Sequence, residues 1–332
     1  MTSQCKICDS KELSPTGLQP SYLEGSEFSI YLCETCFTSV ASPTQSDPEI
    51  YETIYADPSK VRGYDRYDRY RAMVLEAKDP LRSLAGAEDM YWAVSRALGD
   101  LEGLPTTSLL EVGSGLGYLT YALNKTGFSC IGIDLSDNAV EEATEYFGDH
   151  YKRVDLHELV DAGNKYDVVI STEVIEHVED PIEFLRDAYS LLKPGGRLIV
   201  STPNKSNWSK DVLWHTDPPP VHLFWFSEKS FESIAQKLGA SFRLVDFTER
   251  NRLPRYYPRL IGVTTPTESP RIATKTLAKP SIFGPPRQWL KNFLPNPVLE
   301  ALKMGRGALS PRYSRFGNRS SSLCAILERP TD

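Results

Sequence analysis

No stretch of this 332-residue chain stays apolar over the roughly 20 residues that a membrane-spanning helix requires, which excludes a helical span. The opening, Met1-Thr2-Ser3-Gln4-Cys5, lacks the basic-then-apolar order of a secretory leader, so a cytoplasmic address is expected. There is no internal repeat and no long low-complexity tract. Histidine is scarce, with five in the chain, and two of them fall within one short segment. Cysteine is also scarce, yet four of the six sit in two close pairs. A reducing compartment disfavours disulfides, so those pairs call for another explanation. At this length, with 40% hydrophobic residues, the chain can bury a sizeable core, and one large domain plus a small one is expected.

One further absence is informative. Leu109-Leu110-Glu111-Val112-Gly113-Ser114-Gly115-Leu116-Gly117 reads as a strand breaking into a glycine turn and resuming as a helix. Glycine lets backbone approach a ligand, and the free N–H groups at the helix start face it. Ile131-Gly132-Ile133-Asp134 follows, with an acid at the end of an apolar run, where a carboxylate can accept from both hydroxyls of a ribose. A dinucleotide fingerprint would need a glycine three residues after Gly115, but that position is Tyr118. The spacing is G-x-G-x-G instead.

With Glu111 two residues before the first glycine, this stretch resembles motif I of the class I S-adenosylmethionine (SAM) methyltransferases. The remainder alternates strand and helix patterns, as an α/β fold with a mainly parallel sheet requires. Strands are predicted at 108–112, 129–134, 166–171, 196–201 and 242–247, and helices near 117–126, 137–147, 181–192 and 227–238. Ser136-Asp137 and Asp180-Pro181 are helix starts, and Lys193-Pro194-Gly195-Gly196 is a stop. The run from Tyr166 to Val178 resembles the family's fourth strand and the loop after it, and Leu191–Leu198 the helix–turn–strand that follows. The resemblance spans roughly residues 104–250 plus a last strand, and implies a Rossmann-like seven-stranded sheet with helices on both faces. It further implies that Glu111, Gly113, Ser114, Gly115 and Gly117 line or admit the methionine end of SAM. Asp134, with Leu135 beside it, would take the ribose. Asp155, with Leu156, would take the adenine unless it is a solvated loop acid. Thr172 and Glu173 would lie beneath the sulfonium.

Cys5-Lys6-Ile7-Cys8 and Cys33-Glu34-Thr35-Cys36 are C-x₂-C knuckles 24 residues apart, a spacing that can aim four thiolates at one tetrahedral zinc. Such a site is closed, so its expected role is to hold a ribbon (residues 1–45) that lacks a core of its own. This opening resembles the zinc ribbons preceding bacterial methyltransferases of sugar, glycan and secondary-metabolite pathways. Cys130 and Cys324 lie in apolar strand patterns and read as buried. Residues 46–103 read as a helical linker or lid. Within them, Tyr64, Tyr67 and Arg71 would share one helical face, either as a surface helix or as a cover over the cofactor.

The acceptor chemistry is expected between Glu173 and His222. Glu173, Glu176 and His177 stand at i, i+3 and i+4, which on a helix puts them on one face. This E-x-x-E-H pattern resembles the metal site of ubiquinone-pathway O-methyltransferases and of small-RNA 2′-O-methyltransferases. Two catalytic schemes stay open, beside a third reading in which His177 only orients the loop. Glu173, Glu176 and His177 hold Mg²⁺, with His222 as a fourth ligand, or His177 acts as a general base, with His222 a second candidate. His215 and His222 flank a proline-rich loop whose Trp225 and Phe226 read as core, and Ser227 reads as the cap of the next helix.

Residues 250–332 hold 15 Lys+Arg against 4 Asp+Glu, a net +11 that leaves −18 for the rest. Leu323–Glu328 reads as the final, antiparallel strand, which makes 251–320 a basic insertion near the acceptor site, with an amphipathic stretch around Trp289 and Phe293, and 321–332 the last strand and tail. One-signed charge suits an anionic partner such as a small-molecule or glycan acceptor, and leaves RNA open. No Asn/Asp-Pro-Pro-Tyr follows the fourth strand, against methylation of base amino groups. The expected function is SAM-dependent transfer to a hydroxyl, or less favourably a carbon. RNA 2′-O-methylation and non-catalytic zinc- and SAM-binding are the alternatives.

Overall fold

A computed structural model describes residues 4–21, 26–56, 67–99, 101, 107–207, 218–252, 272–273, 276–277, 318 and 320–331. The chain opens with three antiparallel strands, β1 (Leu13–Pro20), β2 (Glu27–Cys33) and β3 (Ser39–Ser42). Four helices follow: α1 (Pro48–Ala56), α2 (Tyr67–Glu76), α3 (Pro80–Ala87) and α4 (Asp89–Leu98). The alternating part runs β4 (Ser108–Val112), α5 (Tyr118–Lys125), β5 (Ser129–Asp134), α6 (Asp137–Phe147), β6 (Tyr151–Arg153), α7 (Leu156–Asp161), β7 (Tyr166–Thr172), α8 (Pro181–Ser190) and β8 (Leu192–Pro203). After it come β9 (Phe224–Trp225), α9 (Glu228–Leu238), β10 (Ser241–Leu244), α10 (Thr248–Arg252), a two-residue pair β11 (Ile272–Ala273) and β12 (Thr276–Leu277), and β13 (Ser322–Glu328).

Seven strands form the main sheet in the order β10-β13-β8-β7-β4-β5-β6. The five from β6 to β8 are parallel, and β13 enters antiparallel to both β8 and β10. Because neighbouring strand residues face opposite ways, each strand feeds two cores. Leu109, Val168, Ile199 and Ile326 pack with α2 to α6 on one face. Leu110, Val169, Leu198 and Ala325 pack with α7, α8 and α9 on the other, and Cys5, Ile7, Cys33, Cys36 and Val40 of the N-terminal unit join that second core. Fully burying one such side chain contributes about 1.5–3 kcal/mol. Cys130 and Cys324 are buried as expected. Among the described residues no helix is long and apolar enough to cross a membrane.

The strand and helix positions agree with the sequence pattern, and the caps explain why. Ser136 accepts from Ala139 N–H at 3.2 Å, Asp180 accepts from Ile182 and Glu183 N–H, and Ser227 forms a reciprocal box with Ser230. Three differences matter. The short β6 and α7 escape the pattern because their buried residues are too few to show a period. α8 ends at Ser190, and Lys193-Pro194-Gly195-Gly196 belongs to an early β8 rather than to a turn outside the sheet. The N-terminal unit takes its fourth strand from β9, about 185 residues on, through Ser39↔Trp225 and Val40↔Phe224.

Candidate functional site

The order of the sheet reverses beside β4: the chain moves outward through β5 and β6, then returns to place β7 on the other side. Crevices at the carboxyl ends of strands flanking such a point are where open α/β sheets bind ligands. The glycine loop closes over this point. Gly113 (φ +74°) stands so close to Val174 that an added Cβ would lie 2.4 Å from its Cγ2. Gly117 (φ +88°) starts α5 where a Cβ would meet Ala143 and Tyr151 at 2.8 Å. Tyr151 Oη donates to Gly117 O at 2.6 Å. Gly113 N–H and Ser114 N–H both donate to Ile133 O at 2.9 Å, so the loop is tied to β5.

Asp134 ends β5 with both oxygens engaged: Oδ2 accepts from Gly115 N–H at 2.8 Å and Oδ1 from Ser136 N–H at 3.0 Å. Burial holds its carboxyl above the usual range against the pull of those backbone donors. Leu135 beside it is 64% exposed, an apolar surface at the mouth of the crevice. Asp155 and Leu156 lie past β6 at the same end of the sheet. Asp155 caps α7 by accepting from His157 N–H, and Leu156 is buried. Thr172 closes β7.

Two of the expected cofactor residues turn inward. Glu111 is 2% exposed, on the α5 side of β4, and its Oε2 accepts from Thr120 Oγ1 at 2.5 Å. Burial pushes its carboxyl up to about 8. Through Thr120 it ties β4 to α5. Ser114 Oγ is likewise buried, directed to Gly132.

The stretch expected to face the acceptor differs from the sequence expectation in its local structure. Glu173, Glu176 and His177 are not on a helix. Glu173 has φ +56°, and residues 175–177 form a turn in which His177 N–H donates to Val174 O. An i, i+3, i+4 spacing suits a tight turn as well as a helix, and the Asp180-Pro181 cap delays the helix to Pro181. Two hydroxyls at the end of β8 hold the carboxylates: Ser201 Oγ donates to Glu173 Oε1 at 3.1 Å and Thr202 Oγ1 to Glu176 Oε2 at 3.0 Å.

The turn separates the expected metal set. Glu176, His177 and His222 bring one ligand atom each within 4.8 Å of one another, and Glu173 is not in that group. His177 Nδ1 lies 2.7 Å from Val221 O, its Nε2 3.9 Å from Glu176 Oε1, and its ring meets that of His222 at 4.7 Å. Burial drives the His222 ring down to about 3, which favours its neutral form. Its Nδ1 has no hydrogen-bond partner among the described residues.

The expected helical linker or lid of residues 46–103 begins with α1, whose individual site contacts were not singled out from the sequence. Tyr51 Oη lies 3.0 Å from His177 Nδ1, Glu52 accepts from Asn138 of α6, and Tyr55 abuts Gly115. The signal was present as Ile50 and Ile54, both buried, with Tyr51 and Tyr55 one turn apart beside them. Of the helices in the expected cover, α1 is the one whose described side chains lie against His177 and Gly115. Tyr70 of α2 is core, and Arg71 pairs with Glu142 at 2.6 Å. Tyr64, the side chain of Tyr67, His215, Trp289, Phe293 and most of 251–320 lie outside the described residues.

The four cysteines converge as expected. Cys5 and Cys36 sulfurs are 3.6 Å apart, Cys8 and Cys33 3.5 Å, and all four lie within 4.8 Å of one another. A disulfide needs about 2.05 Å, whereas four sulfurs at about 2.3 Å from one ion lie about 3.8 Å apart. The separations fit an ion. Cys36 donating to Cys5 holds the Cys5 thiol well below its ordinary range. Trp225 and Phe226 are core, as expected.

A family profile described as "Methyltransferase domain" matches residues 67–244, more than half of the chain. The chain belongs to this methyltransferase family. Its seven-stranded sheet with helices on both faces is the class I form. Among similar curated proteins are the ubiquinone biosynthesis O-methyltransferases of Azorhizobium caulinodans, 34% identical over 45% of this chain and 64% of the relative, and of Ruegeria pomeroyi, 35% identical over 38% and 50%. The chain thus spans about half to just under two thirds of these relatives. A solved magnesium protoporphyrin IX methyltransferase from Synechocystis with bound SAM is 24% identical, covering 58% of this chain and 88% of that one, with a TM-score of 0.39.

Proposed function

We propose that this methyltransferase carries a methyl group from SAM to a hydroxyl of a small molecule or glycan intermediate, with His177 taking the hydroxyl proton. The observation that carries the reading is the environment of the His177 ring. Val221 O can only accept, so at 2.7 Å it keeps the proton on Nδ1 and leaves the lone pair on Nε2. Glu176, buried 3.9 Å from Nε2, stabilises the imidazolium once Nε2 is protonated.

The crevice fits the cofactor. Side-chain-free backbone at Gly113 and Gly115, amides at the start of α5, and the carboxylate of Asp134 suit a sulfonium nucleoside, with Leu135 and Asp155 beyond for its base. When bound, SAM supplies an electrophilic methyl group that an acceptor oxygen displaces in line. What remains for the protein is alignment and proton removal. The relatives' printed names favour an oxygen acceptor over a carbon. Cys5, Cys8, Cys33 and Cys36 would hold one zinc in a closed, structural role.

A second reading has its own support in the grouping of Glu176, His177 and His222 and in the orphaned His222 Nδ1. A divalent ion held by those three would acidify a hydroxyl directly. Labelled SAM with a panel of phenols, sugars, nucleotide sugars and a short RNA tests both readings. His177→Ala should lose about 10²–10⁴-fold in rate with whichever acceptor turns over. If a base works alone, chelation leaves turnover intact, whereas Mg²⁺- or Mn²⁺-reversible loss selects the metal. Full activity in His177→Ala refutes both.

A further inference from the structure

α1 reaches both halves of the site. Tyr51 Oη donates to Val221 O at 3.2 Å and lies 3.0 Å from His177 Nδ1. With its own proton on Val221 O, the tyrosine oxygen faces the Nδ1–H group as an acceptor, so the two side chains and the carbonyl close a three-membered hydrogen-bonded set. The rings meet edge to face, 5.7 Å between centroids at 84°. One turn along the same helix, Tyr55 Oη lies 3.4 Å from where a Cβ on Gly115 would stand. Between them Glu52 accepts from Asn138 Nδ2 at 2.7 Å, which fastens α1 to α6, the helix that follows Asp134.

We propose that Tyr51 is a positioning residue. It restrains the orientation of the His177 ring, whose Nδ1 proton Val221 O fixes, and through α1 it ties that ring to the glycine loop. A histidine turned over, or switched to the other tautomer, would present an N–H instead of a lone pair from Nε2. Val221 O alone restrains one nitrogen through one bond, and the Tyr51 hydroxyl and ring edge add two more restraints from an element outside the loop. The inference rests on His177 as the acceptor-activating group, and its test needs no acceptor, so the two can fail separately.

The test uses the full chain labelled with ¹⁵N-histidine, where five histidines keep the spectrum tractable. The unsubstituted chain should show His177 as a single Nδ1–H tautomer, with cross-peaks between the Tyr51 and His177 ring protons. Tyr51→Phe keeps the ring and removes the hydroxyl. It should leave the Nδ1–H tautomer that Val221 O fixes but shift and broaden the His177 Nδ1 and ring-proton signals as the ring gains freedom, while the Kd for S-adenosylhomocysteine stays within about twofold. An unchanged His177 pattern in Tyr51→Phe overturns the proposal. So does a tenfold loss of S-adenosylhomocysteine binding, which would make the hydroxyl a cofactor contact. Should the Phe variant fail to fold, the ring cross-peaks decide alone, and their absence overturns the assignment.

Discussion

Gly113 is where the two halves of the crevice touch, and an alanine there should be costly in a divisible way. Its φ of +74° lies in the left-handed region, where a Cβ costs about 1–2 kcal/mol. The new methyl would also stand 2.4 Å from Val174 Cγ2, far inside contact, so Val174 must move. Overpacking of that kind costs about 1–3 kcal/mol. Gly113→Ala should therefore destabilise by about 2–5 kcal/mol, and at about 2–4 °C per kcal/mol that is a clear shift in thermal midpoint. Val174→Ala removes the obstructing methyl groups and leaves the backbone penalty. The double variant should thus recover about 1–3 kcal/mol relative to the sum of the single changes. Urea unfolding of the four proteins measures this coupling, and S-adenosylhomocysteine calorimetry shows whether the crevice is restored with it. Single-variant costs that add within about 0.5 kcal/mol would refute the contact.

Three further outcomes are expected. The Glu111 carboxyl sits at about 8 when folded against an ordinary 4.5, so the folded chain keeps a proton that the unfolded chain releases. Stability should accordingly fall by up to about 1.4 kcal/mol per unit as pH rises through that window and level off above it. Glu111→Gln should flatten the slope, which denaturant titrations at several pH values would read. Cys33→Ser should abolish an expected content of about one zinc per chain. Because β9 pairs with β3 and Ser227 Oγ donates to Cys36 O at 2.7 Å, the change should also red-shift the fluorescence of buried Trp225. Metal analysis that finds no zinc in the unsubstituted chain counts against the ribbon. Asp134→Ala removes the carboxylate acceptor and the clasp on Gly115, and should weaken SAM by about 1.5–3 kcal/mol in calorimetry; unchanged affinity would move the cofactor elsewhere.

The sequence by itself determined the cofactor half. Strand, glycine turn, helix and a strand-ending acid are local signals, each set by a few neighbouring residues, and burial on both faces makes the strands legible as apolar runs. The caps at Ser136, Asp180 and Ser227 and the paired cysteines are equally local. Tertiary structure alone decided the acceptor half. The pattern at Glu173, Glu176 and His177 is compatible with helix or turn; the Asp180 cap delays the helix, and Ser201 and Thr202 of β8 hold the two carboxylates in the turn. Nothing near position 51 announces that Tyr51 meets His177, 126 positions away, whereas His222, 45 positions from His177, was expected beside it only through the family resemblance. The N-terminal unit shows the same limit. Its knuckles are visible in the sequence, yet its fourth strand and its share of the core come from the far end of the domain, through β9 and α9. Short-range chemistry leaves its mark on the order of residues, whereas burial and long-range pairing are fixed only when the whole sheet closes.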